Sequence, residues 1–125
     1  MKAAKPGSRR EVGQKGEDLA AQFFTDKGSR VIRRNWRCRS GELDLIVEEE
    51  GILVFVEVRT RRATGRFGTP QESVDYRKQR QVRETAQVYL HQTGGHDRQI
   101  RFDLVSVMLD LKGDVLEIQH LPFAF

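Results

Sequence analysis

The sequence predicts a mixed α/β domain in which helices pack against a single sheet. Three observations lead there. A helical-period segment occupies 11–27, three strand-like runs follow between 29 and 60, and a second helical segment precedes two further strands. A chain of 125 residues has the length of one domain, and burial of roughly two thirds of its unfolded surface can hold it together without disulfide or metal staples. We expect residues 1–10 to form a mobile basic tail and 11–125 a single domain.

Each element has a local reason. Val12, Gly16, Leu19, Ala20, Phe23 and Phe24 recur at helical spacing, and Gly28 stops the run. "SRVIRRNWR" (29–37) reads as a strand with mixed faces. "ELDLIVEE" and "ILVFVEVRT" read as a hairpin turning at Glu50-Gly51, with glycine at the strained position. Residues 61–69, "RRATGRFGT", read as a basic loop. Thr69-Pro70-Gln71-Glu72 carries a cap, a first-turn proline and an acid three residues on, and Asp75 offers a second helix start. That helix runs to about Gln92 and ends at Thr93-Gly94-Gly95. Strands at 99–109 and 115–121 flank the turn "DLKGD".

The composition excludes several classes. No run approaches the ~18 apolar residues of a membrane span, and "MKAAKPGSRR" has no apolar core of a secretory signal. The lone Cys38 cannot form an internal disulfide, which fits a cytoplasmic protein. Net charge is +4, but its distribution says more. Residues 29–40 carry five arginines and no acid, 41–58 carry six carboxylates and no base, 59–66 carry four arginines, and 76–83 carry four basic residues. Solvated charge of both signs accounts for such blocks. So does a basic surface for a polyanion around an acidic pocket. On the second reading the candidate nucleic-acid contacts are Arg34, Arg37, Arg61, Arg62, Arg66 and Arg77.

The hairpin contains an unusual pair. With a two-residue Glu50-Gly51 loop, paired positions sum to 101. Glu49 faces Ile52, Val47 faces Val54, Leu45 faces Val56 and Leu43 faces Val58, an aliphatic face throughout. On the other face Ile46 meets Phe55, Asp44 meets Glu57 and Glu42 meets Arg59. Opposed carboxylates repel at the roughly 5 Å between facing Cβ atoms. A proton on one of them relieves this, as does a divalent cation, for which all-oxygen ligation selects Mg²⁺ or Mn²⁺. Ion pairs with Arg59 or another arginine, and of Glu57 with a lysine, are the purely structural alternative. Lys78 shares a helical stripe with Val82, Thr85 and Tyr89, so it faces the sheet, either as a working lysine or as one snorkelling over a core edge. His91, His96 and His120 show no ligand spacing. Trp36 reads as a core residue or as a base-stacking one.

"GQKGEDLAAQFF", "RNWRCRSGELDLIVEE", "VFVEVRTR", "FGTPQESVDYRKQRQVRETAQVYL" and "RFDLVSV" together resemble the YraN-like family of bacterial predicted endonucleases. That family lies within the PD-(D/E)xK nuclease superfamily and is related to Holliday-junction resolvases. The resemblance spans nearly the whole chain. It implies a restriction-endonuclease-like fold, a mixed five-stranded sheet with flanking helices in the order α-β-β-β-α-β-β. It implies Asp44 and Glu57 as central metal ligands, the Val58 carbonyl completing the protein's share, and Glu17 as an outer carboxylate. Residues 17, 44, 57, 59 and 78 become the catalytic candidates, Mg²⁺ or Mn²⁺ the cofactor, DNA (branched or single-stranded) the substrate, and a homodimer the assembly by analogy. The departure is Arg59, where the superfamily usually has lysine. Arginine stays protonated and cannot act as a general base, though it can bind phosphate bidentately. Arg101 and Asp103 of "RFD" read as a structural ion pair.

Overall fold

A computed structural model describes residues 8–63 and 73–125. The chain runs α1 (Arg9–Asp26), β1 (Arg30–Cys38), β2 (Gly41–Glu49), β3 (Ile52–Arg62), α2 (Tyr76–Thr93), β4 (Ile100–Leu109) and β5 (Val115–Leu121). The strands form one mixed sheet in sequence order, antiparallel except for the parallel β3–β4 pair. A parallel neighbour requires a crossover, and α2 lies within that crossover. This is the element order and sheet type that the sequence predicts.

The two helices cover opposite faces because strand side chains alternate. Ala20 and Phe24 of α1 pack against Leu45, Val47, Val54, Val56, Val105 and Val107. Val82, Ala86, Tyr89 and Leu90 of α2 pack against Ile46, Leu53, Phe55 and Phe102. Each fully buried aliphatic or aromatic side chain contributes about 1.5–3 kcal/mol. Trp36 stands edge-on to Tyr89 with ring centroids 5.2 Å apart, so its indole packs against α2.

Caps fix the helix ends. Ser8 accepts the N–H of Glu11, and α1 therefore starts at Arg9; Arg9 and Arg10, expected in the tail, belong to the helix. The rest of that expected tail, 1–7, lies outside the described residues, as do the Thr69–Glu72 helix start and Arg66. Of the two starts considered for α2, Asp75 caps the helix, accepting the N–H of Lys78 at 2.8 Å.

The hairpin forms as predicted near its turn. Glu50 and Gly51 both have positive φ, 50° and 81°, the pattern of a two-residue turn whose twist matches the strands. The pairs Glu49–Ile52, Val47–Val54 and Leu45–Val56 are present. Beyond them the expected register does not continue as a ladder. Leu43 joins the α2-side cluster rather than facing Val58 on the α1 side. The reason lies at Asp44, whose carboxylate replaces a backbone partner of β3. At this end of the sheet α1 approaches β3 very closely: a Cβ on Gly16 would lie 1.6 Å from Thr60 Oγ1.

Candidate metal and nucleic-acid site

The site begins at Asn35 of β1. Between the pairs Arg34–Leu45 and Trp36–Leu43, Asn35 falls opposite Asp44, and Asn35 has φ 50° in mid-strand. Asparagine tolerates this left-handed conformation better than most residues. Leu43 and Leu45 consequently serve opposite cores, and Asp44 turns its carboxylate toward β3. Asp44 Oδ2 accepts the N–H of Val58 at 2.9 Å. Val58 itself is half-buried against the α1-side core.

Glu57, only 4% exposed, lies against Asp44. Burial pushes its carboxyl up to about 9, and the adjacent Asp44, through a hydrogen bond and its charge, pushes the same way; Lys78 and Arg59 oppose this. Burial and the neighbouring Asp44 both favour a proton held within the carboxyl pair. Lys78 Nζ stands 3.9 Å from Glu57 Oε2, on the helical stripe whose other members, Val82, Thr85 and Tyr89, are buried. Arg59 is half-buried, and its Nε is enclosed without a hydrogen-bond partner among the described residues.

Glu17 arrives from the other face. The Gly16–Thr60 approach brings α1 down onto β3, so the next residue reaches the same end of the sheet. Burial raises the Glu17 carboxyl, the Asp44 charge raises it further, and a hydrogen bond with Asn35 opposes both. Glu17, Asp44, Glu57 and Lys78 thus form a line of ionisable groups running from the α1 side of the sheet to the α2 side. Among the described residues, no three His, Cys, Asp or Glu side chains converge as a metal cage, so Glu17 stands outside the Asp44–Glu57 pair.

The sequence-predicted arginines separate into groups. Arg34 is tied to Asp18 at 2.6 Å and Arg37 to Glu42 at 3.5 Å. Arg61 lines a depression of about 140 Å³ on the β4–β5 side of the sheet, and Arg62 is half-buried with its Nε enclosed. Arg77 is exposed beside Lys78 in a groove of about 500 Å³. Sequence reasoning missed Asn35 and the groove residues Arg80 and Gln81. A lone asparagine inside an arginine-rich strand was the available signal for the first. Gln81 donates to the Ser40 carbonyl at 3.2 Å and so ties α2 to the turn that leads into Asp44.

Arg101 and Asp103 form the expected ion pair. Asp103 is fully buried and accepts from Arg101 Nε at 2.8 Å and from its guanidinium NH2 group at 3.0 Å. It also meets His120 Nε2 at 2.7 Å and accepts the N–H of Phe123 at 3.2 Å. This cluster joins β4 to β5 and the C-terminal residues. No helix among the described residues is long and apolar enough to cross a membrane.

A family model described as "Uncharacterised protein family UPF0102" matches residues 16–107. A UPF0102 protein of Nocardia farcinica is 45% identical over 122 residues, covering 98% of this chain and 94% of that protein. One of Myxococcus xanthus is 42% identical over 125 residues, covering 100% of this chain and 97% of its own. Among solved structures, Pyrococcus furiosus SfsA in complex with Ca²⁺ aligns with a TM-score of 0.34 and 13% identity, covering 91% of this chain and 63% of that one. The family match spans the whole site from Glu17 to Asp103, and on it the chain belongs to the YraN-like UPF0102 family.

Proposed function

We propose that the protein is a divalent-metal-dependent endonuclease acting on DNA. The observation that carries this reading is Glu57, a buried carboxyl set against a second carboxyl and, among the described residues, without a full set of partners. The donor chemistry fits the expected ion. Asp44, Glu57 and the Val58 carbonyl offer oxygen alone, which suits Mg²⁺ or Mn²⁺, and Glu17 stands behind them as an outer carboxylate. When bound, such a cation supplies Lewis acidity toward the scissile phosphate and the attacking water. The chain's own groups do the rest. Arg59, permanently charged, donates hydrogen bonds to the phosphoryl oxygens as negative charge builds on them. Lys78 balances the carboxylate pair from the α2 side, and it is the amine within the site able to lose a proton, since Arg59 cannot.

Arg59 also favours a second reading, a nucleic-acid-binding module of the same fold without catalysis. One experiment separates the two. Purified protein with Mn²⁺ is tested on linear, flapped, single-stranded and four-way DNA, alongside Asp44→Asn and Lys78→Ala. The enzyme reading expects cleavage by the wild type, none by Asp44→Asn with DNA binding retained, and severe slowing by Lys78→Ala. Binding without cleavage on every substrate replaces the enzyme with the module.

A further inference from the structure

The charges around the site are not distributed evenly between the two faces of the sheet. On the α1 side lie Glu17, Glu42 and Asp44, whose mutual repulsion is felt at Glu17. Of the arginines nearest them on β1, Arg34 is engaged by Asp18 at 2.6 Å, while Arg37 meets Glu42 at 3.5 Å with its side chain 76% exposed. The groove of about 460 Å³ beside these acids is lined by Arg9, Arg10 and Arg37 together with Glu17 and Glu42, three cations against two acids. On the α2 side the groove of about 500 Å³ is lined by Arg77, Lys78, Arg80, Gln81 and Glu84. It carries three cations and one acid, and Lys78 connects it to Glu57. Arg80 approaches Glu84 at 3.8 Å, but both side chains are about two-thirds exposed, so water screens that pair and leaves the guanidinium available.

Next to this groove, at the first residue of α2, stands Tyr76, 74% exposed. It lies four residues before Arg80 on one helix face. An exposed aromatic beside a basic groove is the arrangement that binds unpaired nucleic acid: cations follow the phosphates and the ring takes a base that no partner strand covers. Trp36, the other candidate ring, packs against Tyr89 and is not available for this.

We propose that this α2 groove is the track for single-stranded nucleic acid, with Arg77 and Arg80 on its phosphates and Tyr76 stacked on one base, which leads the backbone past Lys78 to the carboxylate pair. The inference rests on the nucleic-acid reading above and specifies its substrate as an unpaired strand. Recognition here is independent of sequence, because every base presents a face to stack on.

The test is fluorescence anisotropy in EDTA, so that no cleavage intervenes, with a labelled 20-nucleotide single strand and the matching duplex over a series of KCl concentrations. Arg77→Ala with Arg80→Ala weakens single-strand binding about tenfold and lowers the salt slope by about two, since each phosphate contact contributes about one. Tyr76→Ala weakens single-strand binding about tenfold and leaves duplex binding unchanged, whereas Tyr76→Phe retains wild-type affinity. Thermal melting verifies that each variant is folded; all three positions are exposed. An equal or larger loss from Arg9→Ala with Arg10→Ala moves the track to the α1 side and overturns the proposal. Equal losses on duplex and single strand from Tyr76→Ala overturn the stacking role. Failure of the wild type to bind either DNA removes the nucleic-acid reading itself.

Discussion

Two buried carboxyl sites lie at separate places on this sheet, and they are built in opposite ways. Asp103 is fully enclosed, yet it has a bidentate arginine, an imidazole nitrogen and a backbone N–H around it. Glu57 is nearly as enclosed, yet it faces another carboxyl, and its nearest cation among the described residues, Lys78, is 3.9 Å away. A buried charge costs several kcal/mol unless its surroundings repay it. At Asp103 the repayment is complete, and the group holds β4, β5 and the chain beyond them together. At Glu57 it is incomplete, and the pair instead holds a proton. Burial alone does not distinguish the two carboxyls; how far their partner sets are completed among the described residues does.

The largest expected effect tests the structural side of the comparison. Asp103→Ala leaves Arg101 and His120 facing an empty position, and breaking such a buried cluster costs about 3–5 kcal/mol. Urea unfolding measures it. A loss below about 1 kcal/mol would mean that the cluster holds little of the fold together, and the contrast with Glu57 would weaken. The next effect joins fold to site. Gly16→Ala drives a methyl group into Thr60, and overpacking of this kind costs about 1–3 kcal/mol. Because α1 must move away from β3, this substitution also moves Glu17 from Asp44. Retention of wild-type stability would show that α1 shifts freely and does not set the position of Glu17.

A third effect is a pH dependence, set chiefly by Glu57, with Glu17 shifted in the same direction. Its carboxyl titrates near 4.5 when unfolded and near 9 when folded. Below about 4.5 both states hold the proton. As pH rises between these values the unfolded state releases it and the folded state does not, so stability falls progressively and levels off above about 9. Glu57→Gln flattens most of this slope, leaving the part that Glu17 contributes, and makes the metal-free protein more stable than wild type at pH 8. Thermal melts from pH 5 to 9 read it out. Parallel curves for the two proteins would show that Glu57 is not the proton-holding group.

Much of this arrangement was legible in the sequence. The element order, the Asp75 cap and the hairpin register near Glu50-Gly51 follow from periodicity and turn chemistry, which are local. The proximity of Asp44 to Glu57 followed from that register. The rest was not local. The β2–β3 ladder ends at Leu45–Val56, where the Asp44 carboxylate takes the Val58 N–H, and Asn35 of a different strand stands opposite Asp44 in a left-handed conformation, neither of which the hairpin encodes. The arginines of β1 looked available for a polyanion because their acidic partners, Asp18 and Glu42, lie on other elements. Nor does Gly16 reveal its role until Thr60 is beside it.

Calorimetric titration with Mn²⁺ at pH 7.5, comparing the wild type with the Asp44→Asn, Glu57→Gln double variant, tests whether the Asp44–Glu57 pair is a divalent-cation site. The wild type is expected to bind Mn²⁺ in the millimolar range or tighter, to release a proton from the pair as it does so, and to be stabilised in proportion to the logarithm of one plus the ratio of free Mn²⁺ to Kd, read as a rising melting temperature. The double variant, which keeps the shape of both side chains and removes their charge, shows no binding heat and no thermal shift. Equal Mn²⁺ binding by the two proteins, or none by either, would contradict the cation site.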